Sequence, residues 1–214
     1  DREVVSNTLS LTTSSYTDPA GNAGPSAITS NYEVETLAPS VSSIVISSAS
    51  GIQNNFLNAD DNVSVTATFS ESVIVDNASG TPELNLVVGS YSREATYASV
   101  DNSTTLVFQY TIQSGDNDTN GISIGENALD LSGGTIRDPA GNNATLTHSS
   151  VDNNSSYMVD TTAPTANFTA ATDDVGTVQE ALTSGDTTDD TALVLSGTNE
   201  SGSSVKVYNG STEL

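Results

Sequence analysis

The stretch YTDPAGNA at 16–23 returns as IRDPAGNN at 136–143, 120 positions later. Its surroundings repeat with it, since NTLSL at 7–11 matches NALDL at 127–131 in the same register. Downstream, NYEVETLAP ending at Pro39 matches SYMVDTTAP ending at Pro164, now 125 positions apart. Loops absorb length differences more readily than paired strands, so the extra residues belong between Asn142 and Ser155. A recurrence of about 125 residues is the size of one compact domain, and it makes the chain fold as successive modules. The reading is the C-terminal part of one module over 1–37, a complete module over 38–162 and the N-terminal part of a different module over 163–214.

Between Pro39 and Pro164 short alternating runs are separated by Gly, Asn, Asp and Ser clusters, the pattern of half-buried strands rather than helices. Val63, Val65, Ala67 and Phe69 share one strand face, and Leu106, Phe108, Tyr110 and Ile112 share another; the two faces should meet in the core. Further strands are expected at 41–47, 83–88, 93–98, 121–124 continuing raggedly to Leu131, and through 144–147 and 157–159. The expected fold is all-β: tandem immunoglobulin-like antiparallel β-sandwich modules, the first and last incomplete. With no Cys or Trp to mark an antibody-type domain, the core must rest on Val, Leu, Ile and Ala. Beyond Thr165 the texture changes, with strands expected at 192–195 and 205–208 and a hairpin signal at Asn209-Gly210. So short a module buries little core by itself. DPAGN reads as a hairpin tip, with Asp, Pro and Gly where a type I turn favours them. A metal-binding role for Asp138 and Asn142 stands open beside that structural one.

Charge narrows the partners. The chain has 27 acidic residues against 4 Lys and Arg, for a net charge of -23. Such a surface repels phosphate backbones and anionic lipid, so no nucleic-acid partner is expected, and cations are the natural ligands. No apolar run long enough to span a membrane occurs, so direct membrane insertion is not expected either. The start, DREVVSNTLS, lacks the charged-then-apolar signature of a signal peptide and reads as cut from a longer polypeptide. Absence of cysteine excludes disulfides, thiolate chemistry and Cys/His zinc sites. The one histidine, His148, has no partner pattern around it, and paired carboxylates are too common here to indicate glycosidase geometry. The expectation is a chain that is not an enzyme.

If each strand of the middle module reverses the chain from pole to pole, the acidic residues sort themselves. Asp60, Asp61, the loop at 114–121 and Asp160 fall at the far pole; Glu35, Asp101, Asp138 and Asn142 fall at the near one. Carboxylates within about 4–6 Å repel by roughly a kcal/mol or more each in a partly exposed setting. Calcium relieves this, because it takes about 6–8 oxygen ligands and tolerates irregular geometry. DNDTNG at 116–121 places Asp116, Asp118 and Asn120 at alternate positions before a glycine, the first half of a calcium loop. The second half fails, since the twelfth position is Asn127 and Glu126 falls one place early. A β-type calcium loop and a plain strand connection are both compatible with it. The pairs Asp173-Asp174 and Asp189-Asp190 sit at neighbouring strand ends and form a second candidate site, solvated acidic loops being the alternative. The acidity also fits a saline habitat.

DPAGN, the boundary motifs VETLAP and VDTTAP, TFSESV after the second strand, and TDDVG with TDDTALVLSGTNESGSSVKVY in the last module give the chain a family likeness. It resembles the tandem immunoglobulin-like repeats of large bacterial surface adhesins of the biofilm-associated and RTX types. The resemblance implies an extracellular, cell-surface location and export by a dedicated system. It also implies calcium near module junctions, with Asp160 and Asp173-Asp174 the best-matching positions, and neighbouring modules of the same chain as the immediate partners. One departure is that Glu35 and Leu37 stand at the first junction where Asp160 and Thr162 stand at the second. The function that follows is a calcium-stiffened extender holding a distal binding region away from the cell. Alternatives are an accessory region of a secreted polysaccharide-active enzyme and a carbohydrate- or protein-binding module.

Overall fold

The computed structural model describes residues 4–13, 15–98, 103–177 and 179–213; Asp101 lies outside them. Among these residues all regular structure is β, mostly in antiparallel ladders. The chain divides into two compact units, Asp1–Thr161 and Thr162–Leu214, so residues 1–37 group with the middle segment.

In the first unit β1 (Val4–Asn7) pairs with β4 (Tyr32–Val34), and β2 (Ser10–Leu11) with β3 (Ala27–Ile28). Then follow β5 (Val41–Ser50), β6 (Phe56–Leu57) and a 15-residue strand, β7 (Asn62–Asp76). They are succeeded by β8 (Glu83–Val88), β9 (Tyr91–Tyr97), β10 (Ser103–Thr111), β11 (Asn117–Asp118), β12 (Ser123–Asp130), β13 (Thr135–Arg137) and β14 (Met158–Asp160).

The length of β7 decides the architecture. Its first half is flanked by β5 and β10, so that Val65 faces Ile46 on one side and Phe108 on the other. Its second half takes β13, with Val75 opposite Ile136. Where two separate sheets were expected, one hydrogen-bonded path runs β12-β8-β9-β10-β7 with β5 and β13 both on β7, and it curls into a half-barrel. Between Thr68 and Val73 the strand bulges: β10 advances from Thr105 to Ser103 while β7 covers five residues. Such a bulge bends a strand and re-aims its side chains. A smaller patch, β11-β14-β6, joins the 114–121 loop to the end of the unit.

The core fills the inside of the curl. Val63, Val65, Ala67, Leu106 and Phe108 are fully buried, with Phe69, Tyr110 and Ile112 nearly so, so both strand faces read from the alternation point inward. The Tyr97 ring meets Phe108 edge-on at 6.0 Å. The strand expected at 144–147 is reduced to bridges, because Thr145 bonds Val41 N–H and the Pro39 carbonyl, and Pro39 has no N–H with which to extend a ladder.

In the second unit β15 (Ala166–Thr172) pairs with β16 (Val194–Asn199), and β17 (Tyr208–Asn209) with β18 (Thr212–Glu213). The hairpin at Asn209 turns through Gly210 and Ser211, Gly210 taking φ 63. Glycine first in a two-residue tip is the type II′ preference. Phe168, Val194 and Leu195 remain exposed, and no apolar residue of this unit joins the buried core among the described residues.

Candidate metal centre

The repeated DPAGN motif folds the same way twice. At 136–143 the Asp138 N–H donates to the Asn142 carbonyl (3.1 Å) and the Gly141 N–H to the Asp138 carbonyl (3.1 Å). The Asn142 N–H reaches Asp138 Oδ1 and its Nδ2 reaches Oδ2, each at 2.8 Å. Asp18 and Asn22 reproduce all four bonds within about 0.1 Å. Gly21 and Gly141 both hold positive φ, 88 and 97, which glycine reaches without a Cβ penalty. The motif is a hairpin tip clamped by its own aspartate.

The two copies differ in surroundings. Asp18 is exposed, and Asp138 is 3% exposed. Glu35, just after β4, reaches the second tip: its Oε2 accepts Asn142 Nδ2 at 2.6 Å, and its Oε1 accepts the Leu37 N–H. Glu71 arrives from the β7 bulge. One carboxylate oxygen from each of Glu35, Glu71 and Asp138 lies within 4.8 Å of the other two, the one such acidic group found among the described residues. A shallow pocket lined by Glu33, Glu35, Glu71, Asp138, Pro139 and Ala140 opens there.

Burial acts to raise the Asp138 carboxyl, but the Asn142 amide and N–H, the Glu35 carboxyl and the Gly141 N–H outweigh it, leaving the group below the ordinary aspartate value. A carboxyl lowered by folding contributes stability that is complete above the unfolded value of about 3.9 and lost as pH falls through the folded one. Acid unfolding monitored by circular dichroism is therefore expected to carry an Asp138 component below about pH 4 that is missing in Asp138→Asn. Removing the bridging amide by Asn142→Ala should cost about 1–2 kcal/mol, read as a lower denaturation midpoint in urea.

Chemically the group is an all-oxygen, anionic donor set with no nitrogen or sulfur ligand, which suits a hard cation. Asn142 takes one hydrogen-bonding direction on each Asp138 oxygen, of the roughly four acceptor sites a carboxylate offers.

The far-pole residues form no such group. Both oxygens of fully buried Asp116 are occupied: Oδ1 by Arg93 Nε (2.8 Å) and Nη2 (2.6 Å), Oδ2 by the Tyr110 hydroxyl and the Gln113 N–H. Asp118 accepts from Asn120, Gly121 and Gly89 N–H groups. Asn120 is exposed and contributes a backbone N–H. Asp61 accepts the Asn58 N–H, Asp60 is exposed at φ 73, and exposed Asp160 pairs with Asn117 across β11 and β14. Topology brings these segments to one end of the unit without gathering their carboxylates.

In the second unit the two acidic pairs do approach. Buried Asp173 accepts the Thr188 hydroxyl at 2.7 Å, and the same oxygen of Thr188 accepts the Asp190 N–H at 2.9 Å. Asp190, 8% exposed, bonds Ala192 N–H through Oδ1, while its buried Oδ2 makes no hydrogen bond. Asp174 and Asp189 point outward, Asp189 lying against Gly176.

Glu71 is the residue that reading the sequence missed, although a signal for it exists. It interrupts the inward set Val63, Val65, Ala67, Phe69, Val73, Val75 at its odd-numbered place, and an acid in an apolar register marks a bulge or a site. No protein family, curated protein or solved structure matches the chain.

Proposed function

We propose that the chain is a non-catalytic, calcium-stiffened extender from a bacterial cell-surface adhesin, built of tandem immunoglobulin-like modules. The observation that carries this reading is the convergence of Glu35, Glu71 and Asp138 from three separate segments. Glu35 belongs to the lead-in at 35–39, Glu71 to the β7 bulge and Asp138 to the hairpin tip. A calcium ion held by their carboxylates would tie the lead-in to the body of the module by charge rather than by core packing. Calcium suits the place because its ligand shell is large and irregular, whereas magnesium demands near-ideal octahedral geometry.

Asp173 and Asp190, with Asp174 and Asp189 beside them, are the second site in this reading. A buried aspartate oxygen without a hydrogen bond is costly unless a cation completes it. The strongly acidic surface, -23 overall, supports an environment rich in divalent ions. Small-angle scattering of the full chain in calcium and in chelator tests the stiffening role: a greater maximum dimension with calcium is expected, and superimposable curves would reject it.

A further inference from the structure

The loop DNDTNG reads as half a calcium site, yet its leading carboxylate is filled by a side chain. Arg93, one of only 4 Lys and Arg residues in the chain, extends from β9 over the Tyr91 ring at 4.5 Å from its centre and delivers two N–H groups to Asp116 Oδ1. With Tyr110 and Gln113 on Oδ2, all four acceptor directions of this buried carboxylate are in use. None remains for a metal ion.

The loop held in this way grips the end of the unit. The Thr161 hydroxyl donates to the Asp116 carbonyl at 2.9 Å and accepts the Gly115 N–H at 2.9 Å. Beside it Asn117 and Asp118 pair with Asp160 and Val159. Gly89 completes the arrangement: its N–H caps Asp118, and a Cβ there would stand 2.1 Å from the Asn117 carbonyl oxygen.

We propose that Arg93 is the resident cation of the 114–121 loop and the positioning residue for Thr161, so that the end of the first unit stays locked without a metal ion. The two ends of the unit then differ in kind: Glu35 answers to calcium, and Thr161 answers to a guanidinium that never leaves. This lock does not depend on the calcium reading at Glu35, Glu71 and Asp138, and either can fail alone.

Amide hydrogen exchange on the full chain tests it. In the unaltered protein, chelator should leave exchange at Gly115, Asn117 and 159–161 unchanged. Arg93→Gln should speed exchange there at least tenfold while Phe108 and Val65 in the core stay protected. Arg93→Lys, which keeps the charge without the two-pronged geometry, should fall between. Should Arg93→Gln unfold the whole unit, Thr161→Val decides, since it removes only the clip: faster exchange at Gly115 with an unchanged core supports the lock. Acceleration by chelator alone, or a Gly115 amide indifferent to Thr161→Val, overturns it.

Discussion

Replacing Asp116 with alanine is expected to lower the stability of the first unit by about 3 kcal/mol. The substitution strands the buried Tyr110 hydroxyl, takes the acceptor from the part-buried Gln113 N–H, and removes the anion facing Arg93. Arg93 keeps partial access to water, its side chain being 28% exposed, so the penalty stays at the lower end of the range for breaking a buried pair. For a unit of this size the melting temperature should drop by roughly 6–12 °C. A spectroscopic change should accompany it. Burial first, then the hydrogen bond to Asp116 and its negative charge, hold the Tyr110 phenol well above the ordinary tyrosine range. In Asp116→Ala its ionisation, followed by ultraviolet absorbance, should move downward. The loss should be the same in calcium and in chelator.

Under the proposed function, calcium supplies the second large effect. One ion bound to the native state alone stabilises it by about 2.7 kcal/mol at a free concentration a hundredfold above its dissociation constant. Melting of the full chain is therefore expected to rise with calcium. Glu71→Gln removes one charge from the triad without altering the core, and should abolish most of the rise in the transition of the first unit. Asp190→Asn should leave that transition alone and affect only calcium-linked changes in the second unit. The different responses separate the two candidate sites, because the substituted residues lie in different units.

Much of the fold was legible because strand alternation is a direct consequence of burying one face. Val63 to Phe69 and Leu106 to Ile112 are buried as the period-two pattern requires. The half-barrel was not legible, because it depends on one strand serving two ladders, and nothing local in β7 announces a change of partner. The near-pole site was half legible. Asp138 and Asn142 stood out through the repeated turn and Glu35 through the boundary motif, while Glu71 depends on a bulge set by the register of β10 against β7. At the far pole the spacing of Asp116, Asp118 and Asn120 suggested a metal, but spacing along a loop says nothing about a guanidinium arriving from β9. The second unit yielded its hairpin, yet β16 begins at Val194 rather than at Ala192, and its apolar residues remain exposed.

In the proposed function Glu35, Glu71 and Asp138 hold one calcium ion between them. Calorimetric calcium titration of the full chain beside its Glu71→Gln variant tests this most directly. The expected result is that the variant loses one binding event while keeping any that belongs to the second unit. Identical isotherms for the two proteins, or no heat from either, would contradict it.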